Sequence, residues 1–227
     1  MEHDFSLMSG ERQVGRSLSE IRKDHLLRYE MALQFLRDKP HAMGLDCFCG
    51  NGYGSYWLGK ELDESCITGI DASAEAVTFA NQYYQLPNVF FSNKLFPFDL
   101  PKGIFDFVVS FESIEHVDDG VRMFDELIGS LKAGGYFLFS VPNERINSRE
   151  KNHHPFHKHH YVDDEVKKIL EKRVDILHQY GQNVYVFHDG LQGELLPESD
   201  MILRENVEGQ IWIYVCRKPK KLRWKPW

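Results

Sequence analysis

The segment FESIEHV, at residues 111–117, brings together side chains that could do chemistry. Glu112, Glu115 and His116 follow an apolar run and stand at positions i, i+3 and i+4. On one helical turn, residues at these spacings share a face. Two carboxylates and an imidazole on one face could hold a divalent metal or orient an acceptor hydroxyl. The alternative is a pair of acids at the start of a helix, satisfied by backbone N–H groups.

A histidine-rich stretch, HHPFHKHHY at residues 153–161, is the second candidate. It resembles a metal-binding tract, but its place in the middle of a domain favours a lid over a cleft. One neutral imidazole beside an acceptor could act as a general base. For any single histidine, packing or exposure to solvent remains the alternative. The histidines are His153, His154, His157, His159 and His160.

A glycine-dense turn at residues 45–58, LDCFCGNGYGSYWL, indicates a ligand of nucleotide type. An apolar run ends in Asp46, and Gly50 and Gly52 follow before a potential helix. Glycines let the backbone turn sharply and approach a ligand closely, and a helix N-terminus offers free N–H groups. A second apolar segment ends in Asp71, and a carboxylate at that place could accept hydrogen bonds from ribose hydroxyls.

Three hypotheses compete for this turn. A dinucleotide site needs G-x-G-x-x-G, and its third glycine would fall on Ser55. An S-adenosylmethionine (SAM) site has D-x-G-x-G-x-G, which Asp46, Gly50 and Gly52 match. Phe48 stands where the first glycine of that pattern is expected, so its ring should crowd the methionine pocket. A glycine-rich surface turn without a ligand is the third hypothesis.

The pattern of apolar residues predicts strands that alternate with helices. It indicates an α/β, Rossmann-like, doubly wound and mostly parallel seven-stranded sheet with an N-terminal helix and a lid loop. Residues 1–16 and 188–209 are predicted as loops, 143–161 as irregular, and LKAGG at 131–135 as a glycine-terminated helix end. Helices are predicted over 17–36, 53–62, 73–85, 121–131 and 162–170. Strands are predicted over 42–48, 67–70, 89–91, 105–110, 136–141, 174–179 and 210–216.

Four candidate residues each follow a predicted strand. Gly50, Asp71, Asn93 and Glu112 are distant in sequence. Ligands of parallel doubly wound sheets bind beyond the carboxyl ends of the strands, near the reversal of strand order. We therefore expect these residues to converge on one crevice.

Composition favours a single domain over residues 1–227, with a helical cap at 1–40, the lid at 143–161 and a basic tail at 217–227. The net charge of −7 argues against a general nucleic-acid binder. Cys47 and Cys49 are too close for a C-x-x-C motif, so buried free thiols in a reducing cytoplasm are expected. The charged first residues predict no signal peptide, and no apolar run is long enough for a membrane span. The tail is either a solvated terminus or a contact with an anionic membrane face or polymer.

With these residues in view, the chain resembles the class I SAM-dependent methyltransferases over nearly its full length. It is similar to small bacterial methyltransferases of surface-polysaccharide gene clusters and to ubiquinone-type O-methyltransferases. The resemblance rests on these segments: GER at 10–12, DHLLRY at 24–29, LDCFCGNGYGS, ITGIDAS, FDFVVSFESIEHV, LKAGGYFLFSVPN, HPFHKHHY and YGQN at 180–183.

The resemblance implies SAM as cofactor and assigns roles to individual residues. Gly50 and Gly52 would approach the methionine part, and Asp71 would hold the ribose. Asn93 and Lys94 would flank the adenine. Arg28 and Tyr29 would close over the cofactor carboxylate, and the same cofactor set includes Asp46, Ala72 and Phe111. 

In similar ubiquinone-type enzymes a Glu-x-x-Glu-His element carries a divalent metal, and Glu112, Glu115 and His116 match it. Relatives often show N-P-F-H-x-x-E-Y in the lid. Here His154 replaces the asparagine and His160 the glutamate, while His157 and Tyr161 keep the pattern.

The first functional hypothesis is O-methylation of a sugar, or of another small polar acceptor, in cell-surface glycan metabolism. His157 or His116 would be the base, with Glu112 beside it and a metal as a further candidate. One alternative is an O-methyltransferase of a quinone-like or aromatic hydroxyl, and another is a non-catalytic SAM-binding partner of a glycan assembly. A nicotinamide oxidoreductase is disfavoured by Ser55. The expected partner is a small-molecule acceptor and not nucleic acid, and the expected location is the cytoplasm. Both a monomer and a homodimer agree with the sequence.

Overall fold

A computed structural model describes residues 6, 7, 9 and 12–220, and its centre is a mixed eight-stranded sheet. The helices are α1 Lys23–Leu36, α2 Tyr53–Glu61, α3 Ala74–Tyr83, α4 Gly120–Ser130 and α5 Asp163–Leu170, with short 3-10 helices at Leu18–Glu20, Ile114–His116 and Glu198–Asp200. The strands are β1 Met43–Cys47, β2 Cys66–Asp71, β3 Val89–Asn93, β4 Phe105–Phe111, β5 Leu131–Pro142, β6 Asp175–Gln182, β7 Tyr185–His188, β8 Leu191–Leu195, β9 Leu203–Glu205 and β10 Ile211–Arg217.

The strand order is β3-β2-β1-β4-β5-β10-β6-β9. The strands from β3 to β5 are parallel, and β10 runs antiparallel to both β5 and β6. From β1 to β3 the chain adds strands toward one edge of the sheet, and from β4 onward it adds them on the other side of β1. Such folds bind ligands at the point where the strand order changes side. The Rossmann-like, mostly parallel fold predicted from the sequence is confirmed, with one strand more than expected.

The core consists of two layers of side chains, one on each face of the sheet. Phe137 and Phe139 of β5 point to one face, where Phe124 of α4 packs against them. Leu138, between them in sequence, belongs to the other layer with Leu33 of α1. This alternation is the period-two geometry of a strand covered on both faces. It holds the carboxyl ends of the strands, and the residues that follow them, in fixed positions.

The sequence mispredicted three local segments. The helix predicted over 17–36 is interrupted, because Ile21 and Arg22 have extended ψ angles of 132° and 140°. The segment LKAGG is not a helix end. Leu131 already pairs with Phe105 as the first residue of β5, and α4 ends at Ser130.

The segment predicted as a loop over 188–209 contains β8, a 3-10 helix and β9. Strands β7 and β8 form a hairpin whose turn residues, Asp189 and Gly190, have φ angles of 52° and 80°. Asp-Gly is a preferred pair for the tight hairpin turn with two left-handed residues. The signal was therefore present in the sequence. Strand β9 pairs with β6 and supplies the eighth strand.

Across the described part of the chain, none of the helices combines the length and the apolar character that a membrane crossing requires.

Candidate active site

A cavity of about 410 Å³ lies at the carboxyl ends of β1 and β4. Gly50, after β1, and Phe111 and Glu112, at the end of β4, form part of its wall. Helix α1 contributes Arg28 and Tyr29. His116 of the 3-10 helix also lines the cavity. Further wall residues come from the histidine-rich lid and from the β7–β8 hairpin, namely Asn147, Asn152, His153, His154, His157, His160, Tyr185 and Gln192.

The glycine turn after β1 uses three left-handed backbone positions. Phe48, Gly50 and Gly52 have φ angles of 61°, 56° and 93°. A Cβ at Gly52 would lie 2.6 Å from the Cβ of Ala80, so this glycine permits close packing. A Cβ at Gly50 would meet nothing within 4 Å, so this backbone borders open space in the cavity. The turn therefore fits a ligand that approaches the main chain at Gly50.

Phe48 occupies a conformation that suits glycine, which explains why the SAM pattern has glycine at this position. Its half-buried ring packs against the hydrophobic layer that contains Leu45 and also lines the cavity. The ring therefore borders the cavity, as its position in the pattern predicts.

Asp46 is buried and is not among the described residues of the cavity wall. It accepts hydrogen bonds from the Ser55 hydroxyl at 2.7 Å and from the Tyr29 hydroxyl at 3.1 Å. Burial raises the pKa of Asp46 to about 7, although these two hydrogen bonds oppose the rise. Gly54 leaves room for Tyr29, because a Cβ there would lie 1.9 Å from the tyrosine Cζ. Asp46 thus supports Tyr29 from behind the cavity.

Asp71 joins the ends of β1 and β2. Its carboxylate accepts the N–H of Gly50 at 2.9 Å and of Ser73 at 2.8 Å, and Arg12 lies 3.6 Å away. The Asn93 side chain donates to the backbone carbonyls of Asp71 and Ala72 at 2.9 and 2.8 Å. Gly50, Asp71 and Asn93 therefore lie close together, whereas Glu112 lies apart from this network in the cavity wall.

The predicted cofactor residues separate into two groups. Arg28, Tyr29, Gly50 and Phe111 line the cavity. The others lie outside the described wall: Asp46, Gly52, Asp71, Ala72, Asn93 and the exposed Lys94.

Arg28 is held by a network that the sequence analysis did not identify. Its Nε donates to Gln182 at 2.8 Å and its Nη2 to Asp24 at 3.1 Å. Burial alone would raise the pKa of Asp24, but a hydrogen bond from Arg22 and the charge of Arg28 outweigh burial and lower it. Burial and the charge of Arg28 lower the pKa of His25 to about 3. Asp24 and Gln182 lie in DHLLRY and YGQN, and the i, i+4 spacing of Asp24 and Arg28 was the available signal.

The three acid and imidazole residues of FESIEHV do not share a helical face, so that expectation was wrong. The 3-10 helix covers only Ile114–His116, and Glu112 precedes it with a left-handed φ of 48°. Glu112 instead bonds to Ser140, whose hydroxyl donates to its carboxylate at 2.8 Å and accepts its N–H at 2.9 Å. Burial raises the pKa of Glu112.

Glu115 has a completely buried carboxylate that lines the cavity. No group among the described residues makes a hydrogen bond with either carboxylate oxygen. Burial, together with Glu112, raises the pKa of Glu115 well above its usual value. An unsatisfied buried carboxylate is costly and calls for a ligand or a proton.

Donor atoms of Glu115, His116 and His157 lie within 4.8 Å of one another. The Nδ1 of His116 lies 3.2 Å from the carbonyl oxygen of Phe156, and its Nε2 lies 3.8 Å from a carboxylate oxygen of Glu115. Two imidazoles and a carboxylate suit a divalent transition metal. Within the described part of the chain this group includes His157 and does not include Glu112, which the sequence placed in the metal set.

The five lid histidines lie in different environments. His153 and His159 are exposed, and His159 bonds to Glu165 at 2.9 Å. His154 and His157 are half-buried, and His160 is buried. Burial and the neighbouring imidazoles lower the pKa of His157 well below its usual range, and burial lowers that of His116 to about 4. Both imidazoles are therefore neutral at pH 7.

Comparison with known proteins bears on this arrangement. Residues 45–139 match the family model described as a methyltransferase domain. A probable S-adenosylmethionine-dependent methyltransferase of Mycolicibacterium smegmatis is 30% identical over 129 residues, 56% of this chain and 49% of the relative. A fatty-acid O-methyltransferase of the same organism is 27% identical over 143 residues, 60% of this chain and 51% of the relative. The chain thus spans about half the length of the curated relatives it matches.

Solved structures show the same fold. An S-adenosylmethionine-dependent methyltransferase of Mesorhizobium loti gives a TM-score of 0.64 at 17% identity, over 84% of this chain and 98% of that one. A SAM-dependent methyltransferase of Aquifex aeolicus gives 0.59 at 18% identity, over 85% and 90%. The chain thus has the fold of these SAM-dependent methyltransferases, and its residues 45–139 match the methyltransferase domain model.

Proposed function

We propose that the protein transfers the methyl group of SAM to a hydroxyl of a small polar acceptor, with His157 as the base. The observation that carries the proposal is one cavity lined both by the open backbone of Gly50 and by His157. SAM supplies a methyl group on a positively charged sulfur. The protein must align the acceptor oxygen, take its proton and exclude water.

The cofactor set inferred from the sequence forms part of this proposal. Gly50, Tyr29, Arg28 and Phe111 would contact SAM from the cavity wall. Asp71, with Ala72, Asn93 and Lys94, would hold the nucleoside beyond it. Asp71 would then exchange its contact with Arg12 for the ribose hydroxyls. Asp46 and Gly52 would act by holding Tyr29 and the turn in place.

The acid and histidine cluster supports proton removal. His157 and His116 are neutral at pH 7, so each can accept a proton as the oxygen–carbon bond forms. Glu112 lies in the same wall and could orient the hydroxyl. Glu115, His116 and His157 would hold a divalent metal if one binds, and the unsatisfied carboxylate of Glu115 favours a cation there.

The polar part of the wall favours a polar acceptor. Asn147 and Gln192 bring amide groups from the lid and the hairpin, and the buried side-chain oxygen of Asn147 has no hydrogen-bond partner among the described residues. These groups suit the hydroxyls of a sugar, which agrees with the resemblance to glycan-associated enzymes. The same proposal includes a cytoplasmic location, with the protein acting alone or as a homodimer.

A second candidate acceptor is an aromatic or quinone-like hydroxyl. Phe48, Tyr53, Phe111 and Tyr185 also line the cavity, and these rings could stack on an apolar acceptor. Methyl transfer from radiolabelled SAM to a panel of nucleotide sugars and phenols distinguishes the two classes.

His157→Ala tests the base. We expect turnover to fall about 100-fold, because general base catalysis contributes on this scale, while affinity for S-adenosylhomocysteine stays unchanged. His159→Ala, an exposed lid histidine bonded to Glu165, is the matched control. Unchanged turnover in His157→Ala would reject the role.

Calorimetric titration with S-adenosylhomocysteine, with and without a chelator, tests the cofactor and the metal. Absence of binding, together with co-purification with a glycosyltransferase, would instead favour the non-catalytic alternative.

A further inference from the structure

We propose that His160 is a positioning residue that fixes His157 in the Nδ1–H tautomer, leaving the Nε2 of His157 with a free lone pair. The inference rests on the proposed function of His157. It concerns a buried lid residue of the cavity wall that determines which nitrogen of His157 can accept a proton or hold a cation.

The hydrogen-bond chain begins at a backbone carbonyl. The Nδ1 of His160 lies 2.7 Å from the carbonyl oxygen of Asn147. A carbonyl oxygen only accepts, so this nitrogen must carry the hydrogen. The Glu144 carboxylate, 3.5 Å from the same nitrogen, also favours a proton there.

The second step follows from the neutral state of His160. With its hydrogen on Nδ1, a neutral His160 has an acceptor at Nε2. That atom lies 2.7 Å from the Nδ1 of His157. The Nδ1 of His157 is therefore the donor, and its Nε2 keeps its lone pair. An orienting partner of this kind fixes both the ring and the tautomer of a functional histidine.

The surroundings favour a neutral His160. The ring is 3% exposed, so a positive charge on it would be largely removed from water. The rings of His154 and His116 lie 4.0 and 4.8 Å from that of His157. The Glu144 carboxylate lies on the Nδ1 side of His160, where the hydrogen already stands.

A carboxylate at position 160 could accept the same Nδ1–H hydrogen bond as the Nε2 of a neutral imidazole. This gives a rescue variant, His160→Glu, and a matched variant without an acceptor, His160→Leu.

Nitrogen-15 NMR of the full-length, histidine-labelled protein tests the tautomer directly. In the unmodified protein we expect the long-range proton pattern of a hydrogen on Nδ1 of His157 and none on Nε2. The signal is assigned by its loss in His157→Gln. A hydrogen on Nε2, or a cationic His157 at pH 7, would overturn the inference. This measurement needs no acceptor, so its failure is distinct from failure of the proposed function.

Kinetics of the variants test the consequence. We expect His160→Leu to lower kcat about 10- to 100-fold, as is typical when an orienting partner is lost, with KM for SAM unchanged. His160→Glu should recover most of that loss, and His159→Leu should have no effect. Equal activity of His160→Leu and the unmodified protein, or equal losses in both His160 variants with native circular dichroism, would contradict the inference.

Discussion

The glycines of the turn after β1 meet opposite steric demands. Gly52 is enclosed by Ala80 and by the ring of Phe91, whose Cζ lies 2.8 Å from the place of a Cβ. Gly50 faces open space in the cavity. Close packing requires glycine at position 52, and room for a ligand explains glycine at position 50.

Alanine at each position should separate the two demands. We expect Gly50→Ala to cost only about 1 kcal/mol of stability, the strain of a left-handed alanine, but to weaken S-adenosylhomocysteine binding about tenfold or more. Gly52→Ala should destabilise by about 3 kcal/mol or more, because strain adds to overlap with the Cβ of Ala80, which the backbone holds in place. Urea unfolding and calorimetry measure both. Similar stability losses, or unchanged affinity in Gly50→Ala, would contradict this assignment.

Asp46 makes stability depend on pH. Its pKa is about 7 in the folded state, against an ordinary value of 3.8. Between these values the unfolded chain has lost the proton that the folded chain retains, so stability falls as pH rises from about 4 to 7, by at most about 1.4 kcal/mol per pH unit. Asn does not titrate, so the free energy of unfolding of Asp46→Asn should fall less steeply with rising pH than that of the unmodified protein. Urea unfolding at pH 5 and pH 7 measures the difference, and parallel pH dependence in both proteins would count against it.

At the scale of elements, Asn152 connects the lid to the β7–β8 hairpin. Its amide nitrogen donates to the Gly190 carbonyl at 2.9 Å, and its oxygen accepts the N–H of Gln192 at 2.7 Å. Lys151 adds a contact to the Asp189 carbonyl at 3.0 Å. Lid and hairpin are thus joined over the part of the cavity that lies beside the acceptor groups.

Breaking this connection should loosen the hairpin without disturbing the cofactor. In Asn152→Leu we expect faster hydrogen exchange over residues 185–195, since both hydrogen bonds are lost, and unchanged affinity for S-adenosylhomocysteine. Asn81→Leu on α3, which removes one bond to the Val77 carbonyl, is the control. Unaltered exchange in the hairpin would show that other contacts hold it.

At the scale of the molecule, the cavity wall draws on segments far apart in the chain. It includes Gln13 near the N-terminus, the ends of β1 and β4, the lid and Ile211 of β10. A ligand in the cavity therefore contacts segments that come together only in the folded state, and its binding energy is linked to folding.

S-adenosylhomocysteine at a hundredfold excess over its Kd should accordingly raise the free energy of unfolding by about 2.7 kcal/mol. NADH at equal concentration should have no effect, because Ser55 stands where a dinucleotide turn needs glycine. Thermal unfolding measures both ligands. Stabilisation by NADH and not by S-adenosylhomocysteine would overturn the cofactor assignment.

The sequence by itself determined the features that depend on local order along the chain. Strand and helix periodicity predicted the parallel sheet, and the Ser73 cap, which accepts the N–H of Ala76 at 3.1 Å, was visible as a residue type. Strand ends share one edge of a parallel sheet, so the closeness of Gly50, Asp71 and Asn93 followed from strand order.

The tertiary structure alone decided what depends on contacts between distant segments. Glu112 lies outside the 3-10 helix and bonds to Ser140 of β5. His157 lies beside Glu115 and His116 instead, because the lid folds back over the strand ends. The orientation of His157 by His160 likewise arises from the irregular path of the lid. Spacing along the chain predicts which face of a regular element a residue occupies, but it carries no information about how an irregular segment folds onto that face.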